Sequence, residues 1–175
     1  MRVLLALLLG LLLSACGASE PEATQGDDDP AFATELMYRD AALLNLLDVA
    51  LGRELSPGVA DAGEQLRIET SERMSTAAEL LEQWGEEVPV TSRDHGAEHS
   101  SDNDVPELEG MPTGRDLQRI GKLDGPAFEA PYVDLLTTAL EATREFADTH
   151  DGSSEEADEL ARAAVLSAAA ALDAF

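Results

Sequence analysis

The sequence predicts an all-α protein, a four-helix bundle running up-down-up-down, on three observations. Apolar residues recur at three- and four-residue spacing through four long segments. No alternating run of Val, Ile, Thr and aromatic residues marks a strand. Cap, proline and glycine signals cut the chain into helix, short turn, helix, long loop, helix, short turn, helix, the order of two helical hairpins joined by a crossover.

The elements follow in order. Residues 1–15 carry one basic residue, Arg2, and an apolar run from Val3 to Leu13 that ends in Leu13-Ser14-Ala15-Cys16. The run falls short of the roughly 20 apolar residues a bilayer span needs, and small residues precede Cys16 as in a processed export signal. Cys16 resembles the lipid-modified cysteine of exported lipoproteins. The expectation is lipid attachment at Cys16, with the protein on the cell membrane facing the periplasm or the exterior. The competing reading is a plain secretory signal that leaves Cys16 as a free thiol. Residues 16–30 contain little apolar surface and end on Asp27-Asp28-Asp29, so they read as a flexible acidic tether.

The bundle domain is expected over residues 31–175, with hairpins 31–85 and 113–175 and a linker 86–112. In the first helix Phe32, Leu36, Leu43, Leu47 and Ala50 share a stripe that also passes through Asp40. Ser56-Pro57 opens the second helix, whose stripe is Val59, Leu66, Thr70, Met74, Ala77, Leu81 and Trp84, and Gly85 ends it. The linker holds Pro89, Pro106 and Pro112 together with His95 and His99, and is long for a loop. A short helical piece near Asp116 to Lys122 precedes Gly125-Pro126, which starts the third helix with the stripe Phe128, Tyr132, Leu136, Ala139, Thr143 and Ala147. Pro131 marks a late start or a bend. Ser153 and Glu156 fit a capping box for the last helix, whose stripe is Ala161, Val165, Ala168, Leu172 and Phe175. The alanines from Ala168 to Ala171 suit an internal core or a partner helix, which leaves the oligomeric state open.

Composition bounds the function. A single cysteine in 175 residues excludes an internal disulfide. The net charge is −25, and −26 once Arg2 is removed with the signal. That charge repels nucleic acid and anionic lipid headgroups and remains compatible with small cations or basic protein partners.

Several short motifs carry a resemblance. Phe32-x-x-x-Leu36-Met37 opens the first half, Gln83-Trp84-Gly85 ends the second helix, and Glu109-Gly110-Met111-Pro112 leads into Gly125-Pro126-Ala127-Phe128-Glu129 and Tyr132-x-x-x-Leu136. Phe32 and Leu36 recur as Tyr132 and Leu136 at an offset of 100 residues, which suggests an internal duplication. Over nearly all of residues 31–175 the layout resembles the exported, duplicated, ferritin-like bacterial family known as domain of unknown function 305. The resemblance implies paired inward His and Met residues, and copper in some members. The matching positions here are Arg39-Asp40 and Ala139-Leu140, with Thr70 where Gln is common and Ala77 where Met is common. None of these is an imidazole or a soft sulfur donor, so the metal site implied by the resemblance is largely erased.

No other constellation replaces it. A di-iron centre needs Glu-x-x-His pairs, and the residues three before His95, His99 and His150 are Ser92, Gly96 and Ala147. Asp40 is the anomalous core polar residue, either a remnant ligand or, as favoured here, a buried carboxylate held by hydrogen bonds or an arginine, or one at a partly wet bundle end. His95 and His99, four apart, are the candidate ligands for copper or another divalent ion, weakly bound because the surrounding residues favour a loop. His150 reads as a residue meeting a helix C-terminus and turn. Thr70 and Thr143 are expected to return their hydroxyls to the preceding helical turn. No nucleophile elbow, phosphate loop or zinc-protease motif occurs. The expectation is therefore a non-enzymatic, lipid-anchored helical bundle without cofactor that acts as an interaction or envelope accessory protein. Weak copper handling is the alternative.

Overall fold

The computed structural model describes residues 28–91 and 106–175. They form five helices: α1 Asp29–Val49, α2 Pro57–Trp84, α3 Gly114–Ile120, α4 Pro126–Asp148 and α5 Glu155–Leu172. No strand occurs among the described residues, and no helix there is long and apolar enough to cross a membrane. Cys16, His95 and His99 lie outside the described residues.

The four long helices pack as a bundle, but their directions differ from the expected up-down-up-down order. Phe32 at the start of α1 stacks on Phe146 at the end of α4, with ring centroids 5.2 Å apart. The Ser56 N–H, just before α2, donates to Glu129 Oε2 in the first turn of α4 at 2.5 Å. So α2 and α4 run the same way, and α1 and α5 run against them, an up-down-down-up order. The cause lies in the connection between α2 and α4, whose described part, residues 106–125, lies along the bundle before α4 begins. On the way the Glu109 carbonyl accepts from Arg39 Nη1 at 3.4 Å. A single long crossover is the connectivity of ferritin-like bundles.

Local chemistry explains most boundaries. Ser56 is extended and Pro57 takes the first helical position of α2, as expected. Gly85, at φ +77°, ends α2 in a Schellman motif. Its N–H reaches the Glu82 carbonyl, and the Glu86 N–H reaches that of Leu81. Thr113 and Asp116 form a reciprocal capping box on α3, which the sequence reading missed because Asp stands where Glu or Gln is usual. Pro131 sits inside α4, which starts at Pro126, so it does not mark a late start.

Two expectations for α5 need correction. Its cap is Ser154, whose hydroxyl accepts from the Ala157 N–H at 3.2 Å, and not Ser153. Ser153 is taken by Asp29: its N–H and hydroxyl, with the Ser154 N–H, converge on the Asp29 carboxylate at 3.0–3.3 Å. This also places Asp29 in the fold rather than in the tether, because it is fully buried in the first turn of α1. The inward stripe of α5 is rotated as well. Ala157, Leu160, Ala161, Ala164, Ala168 and Ala171 are buried, whereas Val165, Leu172 and Phe175 are half-buried.

Burial opposes the Asp29 charge, but the hydrogen bonds from Ser154 and Ser153 outweigh it and hold the carboxyl below its ordinary 3.8. A carboxylate lowered in the folded state stabilises above its unfolded value, and that support is lost as pH falls through the folded value. Asp29→Asn should therefore cost about 1–2 kcal/mol at neutral pH, read by urea denaturation. The gap to the parent should close below pH 3.8; a gap that persisted in acid would show that the charge is not its source.

At the opposite end Arg53 joins the α1–α2 corner to the α3–α4 corner. Its guanidinium lies 4.2 Å over the Phe128 ring and donates to the carbonyls of Val49, Gly121 and Leu123. Between these ends the core forms two apolar clusters. One holds Leu43, Leu47, Leu66, Phe128, Tyr132 and Leu136. The other holds Phe32, Leu36, Met37, Ala77, Leu81 and Ala147.

Candidate functional site

The two clusters are divided by a polar layer to which every long helix contributes. In α1, Asp40 lies between Met37 of one cluster and Leu43 of the other. Thr70 and Arg73 of α2 fall between Leu66 and Ala77, Thr143 of α4 between Leu140 and Ala147, and Ser167 of α5 between Ala164 and Ala168. All five are buried. Mid-bundle is where facing helices build cofactor and metal sites in this architecture, so this layer is the position to test.

Its centre is an ion pair. Arg73 Nε donates to Asp40 Oδ2 at 3.0 Å and Nη2 to Oδ1 at 2.5 Å, a two-pronged contact with Asp40 at 0% and Arg73 at 5% exposure. The remaining prong, Nη1, donates to Ser167 Oγ at 2.7 Å, and Ser167 Oγ donates on to the Ala164 carbonyl at 3.3 Å. Burial pushes the Asp40 carboxyl above its ordinary value, against the pull of the Arg73 charge and its hydrogen bonds. The anomaly at Asp40 is thus an arginine-held carboxylate. Sequence reasoning missed Arg73 itself, although it stands three residues after Thr70 and four before Ala77 and so shares their face.

The hydroxyls behave differently from expectation. Thr143 Oγ1 donates to Met111 Sδ at 3.7 Å instead of to the preceding turn. Thr70 Oγ1 is buried and has no hydrogen-bond partner among the described residues. Met111 comes from the crossover and is admitted by Gly110, at φ +76°, where a Cβ would overlap that of Ala142 on α4. Arg39, beside Asp40, points elsewhere: it pairs with Glu35 at 2.7 Å and its guanidinium lies 4.5 Å over the Phe146 ring. His150 donates its N–H to Ala147, as a residue at a helix end does, but its ring is stacked on Phe32 at 3.8 Å with Nε2 3.6 Å from Asp29 Oδ1. Gly152 allows this, because a side chain there would collide with both groups.

The layer does not fit copper or a di-metal centre. Both Asp40 oxygens are engaged, the neighbouring group is a guanidinium that a cation would face at close range, and Met111 supplies one soft donor without an imidazole. Among the described residues no group of three or more His, Cys, Asp or Glu is placed to hold a metal ion.

With this geometry in place, the comparisons with known proteins decide the family. The profile described as Domain of unknown function (DUF305) matches residues 29–174. This chain belongs to the DUF305 family. Its fold is similar to the crystal structure of a DUF305 fragment from Deinococcus radiodurans, with a TM-score of 0.69 at 16% identity over 85% of this chain and 93% of that one. No protein of curated function matches. For a DUF305 chain the short motifs have structural reasons: Trp84-Gly85 ends α2, Gly110-Met111 inserts the crossover into the polar layer, and Gly125-Pro126 starts α4. The DUF305 match begins at residue 29, where Asp29 fastens α1 to α5.

Proposed function

We propose that this DUF305 chain is a lipid-anchored bundle outside the cytoplasm, tethered through Cys16, that works by holding a protein partner and performs neither catalysis nor metal handling. The observation that carries the reading is the Arg73–Asp40–Ser167 network. It fills the mid-bundle position with an internal ion pair, so the described interior has no open donor set to offer a ligand, and the bundle acts through its surface. The Leu13-Ser14-Ala15-Cys16 sequence supports the anchor, and the charge of −25 supports a basic partner over nucleic acid or anionic lipid.

Expression in a bacterial host tests it. The parent should partition into detergent and carry an acyl mass at Cys16, and Cys16→Ser should do neither. Calorimetric titration of the same protein with copper should give no stoichiometric binding below about 10 µM, since built metal sites bind far more tightly. Tighter binding that His95→Ala and His99→Ala together abolish would replace this reading with copper handling.

A further inference from the structure

The surface between α2 and α5 is the most distinctive outside the polar layer. The two helices run antiparallel and leave an open groove of about 770 Å³ along their seam. Leu80 and Leu160 lie at its base and are buried, and the wall toward α5 is built from Ala163, Leu166 and Ala170. Leu166 is 63% exposed and adds apolar surface to that wall. The rotation of the α5 stripe described above produces this: burial of Leu160, Ala164, Ser167 and Ala171 turns Leu166 outward beside the small residues that shape the trough.

The rim is acidic. Glu69 and Glu72 stand along α2, and Glu156 and Glu159 along α5. Among the described residues the one cation lining the groove is Arg73, whose charge is already committed to Asp40. Glu72, Glu156 and Glu159 make no ion pair among the described residues. A groove with an apolar floor, small-residue walls and carboxylates on both edges has the complement of one shape: a helix with leucine-like residues on one face and lysine or arginine along its flanks. The length fits. From Glu156 to Ala170 the α5 wall spans about 21 Å at 1.5 Å per residue, three to four turns of a partner helix.

Charge also argues against other occupants. A second copy brings −25 to a rim of the same sign. The stretch 92–105 of this chain is itself net acidic, and anionic lipid is repelled equally.

We infer that the α2–α5 groove is a docking site for a cationic amphipathic helix of a protein partner. This deepens the proposed interaction role, and because the anchor is read at Cys16 and the groove by binding, either can fail without the other.

The test uses a fluorescent 15-residue peptide of leucine and lysine arranged as an amphipathic helix, with a control in which glutamate replaces every lysine, followed by anisotropy with the purified protein. The lysine peptide should bind saturably at one site and the glutamate peptide should not. Leu166→Asp, at an exposed position, should weaken binding at least tenfold with an unchanged circular dichroism spectrum and melting temperature. Glu72→Lys with Glu159→Lys should reverse the preference toward the glutamate peptide, whereas Glu86→Lys with Glu87→Lys, of equal charge change outside the groove, should leave it intact. Equal loss from both charge swaps would reduce the effect to net charge and overturn the site. So would the absence of saturable binding, or dimerisation that Leu166→Asp abolishes.

Discussion

Asp40→Ala should destabilise the bundle by about 3–5 kcal/mol, because it leaves the Arg73 guanidinium in the core without its counter-charge. The cost comes from the stranded cation more than from a lost attraction, and a second substitution exposes the difference. Replacing both partners, Asp40→Leu with Arg73→Met, should return stability to the parent level or raise it by up to about 4 kcal/mol, since apolar side chains of similar bulk need no desolvation. The protein already contains such an arrangement. Leu140 stands 100 residues after Asp40 in the second half, and it is buried in the neighbouring cluster without any polar partner. Chemical denaturation of the single and double variants closes the thermodynamic cycle. A cost below about 1 kcal/mol for Asp40→Ala would mean that water reaches Arg73 and that the pair is not a buried one.

Gly110→Ala should be the next most damaging change, at about 3 kcal/mol from two separable causes. An L-residue at φ +76° pays about 1–2 kcal/mol for the left-handed conformation. The added methyl also overlaps Ala142, and overpacking at such contacts costs about 1–3 kcal/mol. Ala142→Gly in the same chain should recover the second part and leave the first, once its own helix penalty of about 1 kcal/mol is subtracted. No recovery would place the whole cost in the backbone. In either case the crossover loosens and Met111 withdraws from Thr143, so the thermal transition should broaden as well as shift.

Much of the fold was legible because it rests on periodicity. The stripe of α4 from Phe128 to Ala147 is buried as read, and Pro57, Gly85 and Pro126 punctuate the chain where their backbone chemistry requires. The misread elements depend on contacts distant in sequence. Asp29 looks like a solvated acid until its partners, Ser153 and Ser154, are brought 124 and 125 residues closer by folding. The same contact removed Ser153 from its expected cap. In α5, alanine is so frequent that several faces satisfy an apolar spacing, and the inward face is marked by Leu160 and by Ser167, which Arg73 holds. The helix directions were hidden because a linker's length does not say where it goes. At the polar layer Asp40 was visible as a break in pattern, whereas Arg73 was not, because arginine is rarely buried unless paired and its partner lies 33 residues away in sequence.

The arrangement of helix directions sets the distance between the two ends of the described bundle. The described chain enters the bundle at Asp29, beside His150, and leaves at Phe175, in the pocket with Ser56 and Pro126 at the far pole. The 21 residues of α1 put these poles about 31 Å apart. Probes placed at Asp29 and Phe175 would therefore report from opposite ends of the bundle, and a change in their separation would read the integrity of the packing between those ends.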